Sequence, residues 1–136
     1  MDIGAPSRQN PHVAGSKRVL VVDDEPSVRR IAERVLERDG IQVLCASDGD
    51  EALEVMAAES GIALVLLDAS MPRMSGPRVL EIMKERGYTI PVLISSGFGE
   101  EGGDTSTYPH LVGYLAKPYR VNTLAERVRE LLGTGG

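Results

Sequence analysis

The chain has 136 residues and a mass of 14.6 kDa, a length that suits one domain with a single hydrophobic core. Hydrophobic residues make up 42% and charged residues 26%, ordinary values that argue against a disordered chain. Fifteen Lys and Arg against twenty Asp and Glu give a formal net charge of -5. This balance disfavours duplex DNA or an anionic membrane as a direct partner, because both need a basic face.

The single cysteine, Cys45, excludes an intramolecular disulfide, and its apolar neighbours predict a buried free thiol. We therefore expect a reducing compartment, the cytoplasm. No apolar stretch approaches the roughly 20 residues of a membrane span, and residues 1–17 lack the apolar segment of a secretory signal. We interpret 1–17 as a flexible N-terminal tail or linker, 18–132 as the folded domain and 133–136 as a C-terminal tail.

The domain begins with a continuous apolar run, 18–23, that ends in acid and predicts a strand buried on both faces. Five apolar runs in all alternate with helical patterns along the chain, and each predicts a strand. The predicted strands cover 18–23, 41–46, 62–67, 90–95 and 112–116.

Helical spacing of apolar residues fills most of the intervals between these strands. The first helix begins near Pro26 and stops at Gly40, with Val28, Ile31, Ala32, Val35 and Leu36 on its inner face. Ser47 or Asp48 can cap the second helix, whose inner face carries Ala52, Leu53, Met56 and Ala57. The third helix opens at Gly76 and Pro77, and the last is lined by Leu124, Val128, Leu131 and Leu132.

Alternating strands and helices predict right-handed crossovers and a parallel sheet covered on both faces. Five such units fit an α/β, flavodoxin-like, doubly wound (βα)5 fold. The segment 99–111 is the exception, because its three glycines and Pro109 have poor helix propensity. We expect the helix there to be short, distorted or absent.

Functional groups are expected where parallel strands end, because sites of open α/β sheets form at the carboxyl edge. The first strand ends in Asp23 and Asp24, the third in Asp68, the fourth in Ser95-Ser96 and the fifth in Lys117-Pro118. Each alone is also typical of a turn or a surface charge; their occurrence at successive strand ends indicates a site. Three converging carboxylates repel one another unless a cation joins them, and Mg²⁺ with a substrate phosphate suits such oxygen ligands. The set predicts phosphoryl transfer with a carboxylate nucleophile.

Four segments of the sequence resemble the receiver domain of two-component response regulators. They are Val-Leu-Val-Val-Asp-Asp-Glu-Pro (19–26), Leu-Leu-Asp-Ala-Ser-Met-Pro-Arg-Met-Ser-Gly (66–76), Pro-Val-Leu-Ile-Ser-Ser-Gly (91–97) and Tyr-Leu-Ala-Lys-Pro-Tyr (114–119). The resemblance runs from about Arg18 to Leu132 with all motifs in order. Ser-Ser-Gly-Phe-Gly-Glu (95–100) with the later Lys-Pro-Tyr (117–119) looks more like receivers attached to hybrid sensor histidine kinases than receivers of transcription factors.

The resemblance implies a role for each residue of the predicted phosphoryl site. Asp68 matches the phospho-accepting aspartate. Asp23 and Asp24 match the acidic pair that binds Mg²⁺ together with Asp68, and the backbone carbonyl of Ser70 matches the remaining protein ligand. Lys117 matches the lysine that contacts the phosphoryl group.

The resemblance also implies a switch. Ser96 matches the Ser/Thr that hydrogen-bonds the phosphoryl group, and Tyr114 matches the aromatic whose rotamer follows phosphorylation. Ser70 and Phe98 match variable positions that set how fast the aspartyl phosphate hydrolyses. The Lys117-Pro118 peptide bond is usually cis in this family, and the family's usual output surface is expected to be remodelled by the atypical 99–111 segment.

The expected function is a phosphorylation-controlled switch rather than an enzyme, although the domain contributes to its own phosphorylation and dephosphorylation. Its partners would be a histidine kinase or phosphotransfer protein as donor and a downstream protein as output, in a stand-alone regulator or a fragment of a longer chain. The alternatives are a receiver-like binding module that is never phosphorylated, a small Mg²⁺-dependent phosphatase, which usually needs a lid, and a nucleotide-binding domain, which lacks its glycine-rich loop here. The first helix has a mixed-charge outer face that suits either a solvated surface or a kinase docking surface. This face carries Arg29, Arg30, Arg34, Arg38, Glu33 and Glu37.

Overall fold

The structure is a computed structural model that describes residues 17–97 and 108–133. These ranges contain five strands: β1 (Arg18–Val22), β2 (Gln42–Ala46), β3 (Ile62–Asp68), β4 (Val92–Ser96) and β5 (Leu111–Ala116). They also contain four helices: α1 (Pro26–Arg38), α2 (Gly49–Ala58), α3 (Gly76–Glu85) and α4 (Val121–Leu132). All five predicted strands are present, and their ends differ from the prediction by one or two residues, the usual uncertainty of element boundaries.

The five strands form one parallel sheet in the order β2-β1-β3-β4-β5. This is the order of a flavodoxin-like, doubly wound sheet, so the predicted fold class is confirmed. The strand order reverses at β1, which makes the carboxyl ends of β1 and β3 the topological switch point. The predicted acidic residues lie at the carboxyl ends of these two strands.

Two hydrophobic layers cover the sheet, one on each face. Alternate residues of β1 enter different layers, since Leu20 and Val22 pack with α2 and α3, whereas Val19 and Val21 pack with α1 and α4. All four side chains are at most 1% exposed. Burial on both faces explains why β1 is a continuous apolar run instead of an alternating one.

Three expectations about burial are wrong. Ile31, placed on the inner face of the first helix, is 47% exposed, and Ala57 of α2 is also exposed. Helical spacing identifies the side of a helix, but not how far the neighbouring layer extends beneath it. Cys45 is only half-buried, because β2 lies at the edge of the sheet and is covered less than the central strands.

Local signals explain where the helices start and stop. Asp48, one of the two candidates for the α2 cap, accepts a hydrogen bond from the amide of Glu51 at 2.8 Å. Ser75 caps α3 through the amide of Arg78 at 3.3 Å. Gly40 follows α1 at φ 78°, a left-handed conformation that favours glycine.

The predicted irregular segment 99–111 falls mostly outside the described residues, as does Phe98. Its last part is described: Tyr108 is 2% exposed, and its hydroxyl donates to the carbonyl of Ile90 at 2.7 Å. This contact fixes the chain beside β4 just before β5 begins. Within the described ranges, no helix has the length and apolar character needed to cross a membrane.

Candidate functional site

Strand ends deliver the predicted site residues to one edge of the sheet. Asp23 follows β1, Asp68 is the last residue of β3, and Lys117 follows β5. The ladder of backbone hydrogen bonds continues through them, since the amide of Asp23 donates to Ala46 at 3.1 Å and the amide of Lys117 donates to Ser96 at 2.8 Å. These side chains therefore project from fixed backbone rather than from free loops.

The three acids that sequence analysis selected form one cluster. Carboxylate oxygens of Asp23, Asp24 and Asp68 all lie within 4.8 Å of one another. Asp23 and Asp68 are each 2% exposed, whereas Asp24 is open to solvent. Buried carboxylates at this separation are unfavourable unless a cation neutralises them.

Lys117 supplies part of that neutralisation. Its Nζ donates to Asp23 Oδ2 at 3.0 Å and lies 3.4 Å from Asp68 Oδ2. One ammonium group thus faces two buried carboxylates, with Asp24 at the rim. The cluster retains an excess of negative charge.

The pKa values of the site follow from this arrangement. Burial raises the pKa of Asp68 to about 6, and the charge of Asp23 acts in the same direction. The Ser70 amide and the Lys117 ammonium oppose this rise in the pKa of Asp68. Burial lowers the pKa of Lys117, but its contacts with Asp23 and Asp68 raise it more, so the net pKa shift is upward. Near neutral pH the site holds an ionised Asp68 beside a protonated lysine.

The loop after β3 packs closely on Asp68. The amide of Ser70 donates to Asp68 Oδ1 at 3.2 Å. A Cβ atom at Gly76 would meet the Asp68 carbonyl oxygen at 2.7 Å, so only glycine allows the start of α3 to approach β3 this closely. The proposed ligand role of the Ser70 carbonyl stays a prediction.

The loop after β1 contains a contact that sequence analysis missed. The amide of Glu25 donates to Asp23 Oδ1 at 3.0 Å, and Arg29 Nη1 donates to the backbone carbonyl of Asp23 at 2.7 Å. Arg29 had been grouped with the outer, mixed-charge face of the first helix. An arginine one turn into a helix that directly follows a strand-end acid is the signal that could have identified it.

Ser96 and Tyr114, the predicted switch residues, occupy different environments. Ser96 is 6% exposed at the end of β4, next to the strand that carries Asp68. Tyr114 is 43% exposed on β5, and its carbonyl accepts a hydrogen bond from Arg127 at 3.2 Å. The Lys117-Pro118 peptide bond is cis, as the resemblance implied.

A groove of about 330 Å³ opens beside the acidic cluster. It is lined by Glu25, Val28, Ile31, Lys117, Pro118 and Tyr119. Tyr119 ends the fourth motif, and the sequence assigns it no role. Burial and the charges of Asp23 and Asp68 raise its pKa. Its position directly after Lys117-Pro118 is the sequence signal that could have placed it beside the site.

The donor set suits a hard divalent cation. Asp23 and Asp68 offer their oxygens from the buried side of the cluster, and Asp24 offers one from the solvent side. A cation held between them could also bind water and a phosphate oxygen from the solvent side. Mg²⁺ is commonly held by one or two carboxylates, water and a substrate phosphate. The residues present therefore fit Mg²⁺ and phosphoryl chemistry.

Comparison with protein families gives a match over most of the chain. Residues 19–129 match the family model described as the response regulator receiver domain. A probable transcriptional regulator ycf27 from Cyanophora paradoxa is 37% identical over 118 residues, which is 85% of this chain and 48% of the relative. The chain thus spans about half the length of the curated relatives it matches.

Solved structures agree with this match. A response regulator receiver domain protein from Clostridium thermocellum superposes with a TM-score of 0.77 at 28% identity, covering 87% of this chain and 95% of that one. The response regulator protein TrrA from Thermotoga maritima, in complex with Mg²⁺-BeF, gives a TM-score of 0.75 at 30% identity. That comparison covers 85% of this chain and 99% of the TrrA chain.

Proposed function

The chain belongs to the response regulator receiver family, and from this premise we propose that Asp68 accepts a phosphoryl group from a phosphohistidine on a donor protein. The observation that carries the proposal is the buried Asp68 carboxylate beside Lys117 Nζ, with the acids of β1 within 4.8 Å. A histidine kinase or a phosphotransfer protein would supply the phosphohistidine.

Asp23, Asp24 and Asp68 would hold Mg²⁺, with the Ser70 carbonyl as a further ligand. When bound, the ion would neutralise charge on the transferring phosphoryl oxygens. The solved structure of TrrA contains Mg²⁺-BeF, and beryllium fluoride is close to a phosphoryl group in charge and shape. This relative supports Mg²⁺ and phosphoryl chemistry for the present chain.

The reaction is a nucleophilic displacement at phosphorus. An ionised Asp68 oxygen forms the new P–O bond while the N–P bond of phosphohistidine breaks, and the imidazole nitrogen keeps the electron pair. With a pKa of about 6, Asp68 is mostly ionised near neutral pH. Lys117 stays protonated and interacts with the added negative charge. Asp68 and Lys117 would thus supply part of the chain's own contribution to its phosphorylation and dephosphorylation.

The added charge would act as a switch. Ser96, buried on the neighbouring strand, would hydrogen-bond the phosphoryl group, and Tyr114 on β5 would change its rotamer as the packing adjusts. A downstream protein, or another domain of a longer protein, would respond to this surface. Two curated relatives, ycf27 of Cyanophora paradoxa and SrrA of Staphylococcus aureus, are named as transcriptional regulators and are about twice as long as the matched region.

The context of the domain is part of the proposal. The half-buried free thiol of Cys45 suits a reducing compartment, so we place the protein in the cytoplasm. Residues 18–132 form the receiver, with 1–17 and 133–136 as tails or linkers. Attachment to a hybrid histidine kinase stays a prediction, since the two named relatives are transcriptional regulators.

The test is the intact mass after incubation with acetyl phosphate and Mg²⁺. The parent protein should gain one phosphoryl group, whereas Asp68→Asn should gain none. Asp50→Asn, which alters an exposed acid of α2, is the matched control and should behave like the parent. Equal phosphorylation of parent and Asp68→Asn would overturn the proposal, and so would a parent that accepts no phosphoryl group from acetyl phosphate or from any phosphohistidine protein.

A further inference from the structure

Arg29 differs from its neighbours on α1 because it turns back toward the acidic cluster. Its side chain is half-buried, and its Nη1 donates to the Asp23 carbonyl at 2.7 Å. Arg30 and Arg34 on the same helix are exposed. Arg29 therefore contacts the loop that carries two of the three clustered acids, rather than the solvated outer face.

The three acids are not held equally. Asp23 accepts hydrogen bonds from the Glu25 amide and from Lys117, and Asp68 accepts one from the Ser70 amide. Within residues 17–97 and 108–133, no hydrogen bond or ion pair reaches the carboxylate of Asp24. The backbone therefore sets where the Cα and Cβ atoms of Asp24 lie, and among these residues no contact restrains its carboxylate.

The peptide group between Asp23 and Asp24 is the part of that backbone which Arg29 contacts. Because a peptide group is planar, fixing its carbonyl also fixes the amide and the Cα position of the next residue. The Asp23 amide is already held by the Ala46 carbonyl at 3.1 Å. With Arg29 on the Asp23 carbonyl, both sides of Asp23 are anchored.

We propose that Arg29 is a positioning residue that aims the Asp24 carboxylate at the cation site by holding the Asp23–Asp24 peptide. The inference rests on the proposed function, since it assumes that the acidic cluster binds Mg²⁺. It assigns Arg29 no contact with the ion or with the phosphoryl group. Its positioning effect passes through Asp24.

The charge of Arg29 and its positioning role would change the affinity for Mg²⁺ in opposite directions. A guanidinium on the loop that carries Asp23 and Asp24 repels a bound cation, so its removal should strengthen Mg²⁺ binding if only charge matters. If Arg29 positions Asp24, its removal should weaken Mg²⁺ binding, as loss of outer-sphere partners does at metal sites. The sign of the change in affinity separates the two.

The experiment is a Mg²⁺ titration of the full chain followed by ¹⁵N NMR, with the parent, Arg29→Met, Arg29→Lys and Arg30→Met. We expect Arg29→Met to raise the Kd for Mg²⁺ about tenfold. Arg29→Lys should give an intermediate Kd, because it keeps the charge and a donor but loses the planar guanidinium. Arg30→Met removes the same charge from the same helix and should not weaken binding.

Three outcomes would overturn parts of the account. An unchanged or lower Kd in Arg29→Met, even with a lower Tm, would overturn the positioning role while the proposed function stands. Should Arg29→Met fail to fold, a Kd of Arg29→Lys equal to that of the parent would do the same. A parent that binds no Mg²⁺ would overturn the proposed function and this inference with it.

Discussion

The charged side chains at the two ends of strand β1 differ in burial and in charge balance. At its amino end, Arg18 forms an ion pair with Glu59 at 2.8 Å, with side chains that are 22% and 43% exposed. At its carboxyl end, Asp23 and Asp68 are buried and share the single ammonium group of Lys117. The amino end is balanced one to one and partly hydrated, whereas the carboxyl end has more negative than positive charge.

This difference separates a structural contact from the proposed functional one. A partly exposed pair such as Arg18–Glu59 contributes little to stability, because water already solvates both charges. Two buried carboxylates with one cation carry a desolvation cost that their hydrogen bonds do not repay in full. A fold keeps such an arrangement where a ligand completes it, and here the proposed ligands are Mg²⁺ and a phosphoryl group.

The largest expected effect comes from removing the ammonium group at the carboxyl end. Without metal at pH 7, Lys117→Met should lower the free energy of unfolding by about 3 kcal/mol, because it leaves buried carboxylates unpaired. Urea denaturation measures this value. Lys84→Met, at an exposed position near the end of α3, is the control and should change it little. Equal small effects of both substitutions would show that the buried carboxylates at the carboxyl end do not depend on Lys117 for stability.

Removing a carboxylate from the same end should have the opposite sign. Since burial raises the pKa of Asp68 to about 6, the ionised side chain destabilises the metal-free fold. Asp68→Asn should raise the free energy of unfolding at pH 7 by up to about 3 kcal/mol, the equivalent of a two-unit pKa difference. Saturating Mg²⁺ should narrow the gap, because it stabilises the parent more than the variant. A variant less stable than the metal-free parent would contradict the assignment of strain to this end.

The free energy of unfolding should depend on pH for the same reason, with a smaller and more gradual change. The folded pKa of Asp68, about 6, exceeds the usual value of 3.8, so the folded protein binds this proton more tightly than the unfolded chain. The stabilisation from the protonated group is complete below about pH 4 and is lost as pH rises through 6. The stability difference between Asp68→Asn and the parent should therefore be near zero at pH 4 and largest above pH 7. A difference that is constant over this range would contradict the raised pKa.

The smallest effect is expected at the amino end. Glu59→Gln breaks the ion pair with Arg18 and should change the free energy of unfolding by less than about 1 kcal/mol. High salt should remove even this difference by screening. Glu85→Gln, an exposed change at the end of α3, serves for comparison. A loss as large as that of Lys117→Met would mean that the amino end is also a strained site.

The carboxyl-end site was predictable from the sequence because the sheet topology determines where most of its side chains lie. Once the apolar runs are strands of one parallel sheet, Asp23, Asp68 and Lys117 must emerge at the same edge, whatever the details of the helices. The continuous apolar run of β1 also predicted its burial on both faces, whereas the apolar runs of β2 and β5 form strands that are partly exposed. Both inferences depend only on chain order and side-chain type.

Features that depend on the reach of individual side chains were not predictable. Ile31 has the correct helical spacing for burial, yet it faces the groove beside Pro118, where the layer beneath α1 ends. Arg29 looks like any surface arginine of α1 until the turn of the chain at Asp23 brings a backbone carbonyl within 2.7 Å. Periodicity carries no information on such contacts, because it does not specify loop geometry.

The central claim is that Asp68, among the three clustered acids, receives the phosphoryl group. Borohydride reduction tests it directly after incubation with acetyl phosphate and Mg²⁺. One hydride displaces phosphate from the acyl phosphate to give an aldehyde, and a second hydride reduces that aldehyde to the alcohol of homoserine. Peptide mass spectrometry then locates the modified position. The account predicts homoserine in place of Asp68 only, with Asp23 and Asp24 unchanged. Homoserine in place of Asp23 or Asp24, with Asp68 intact, would contradict it.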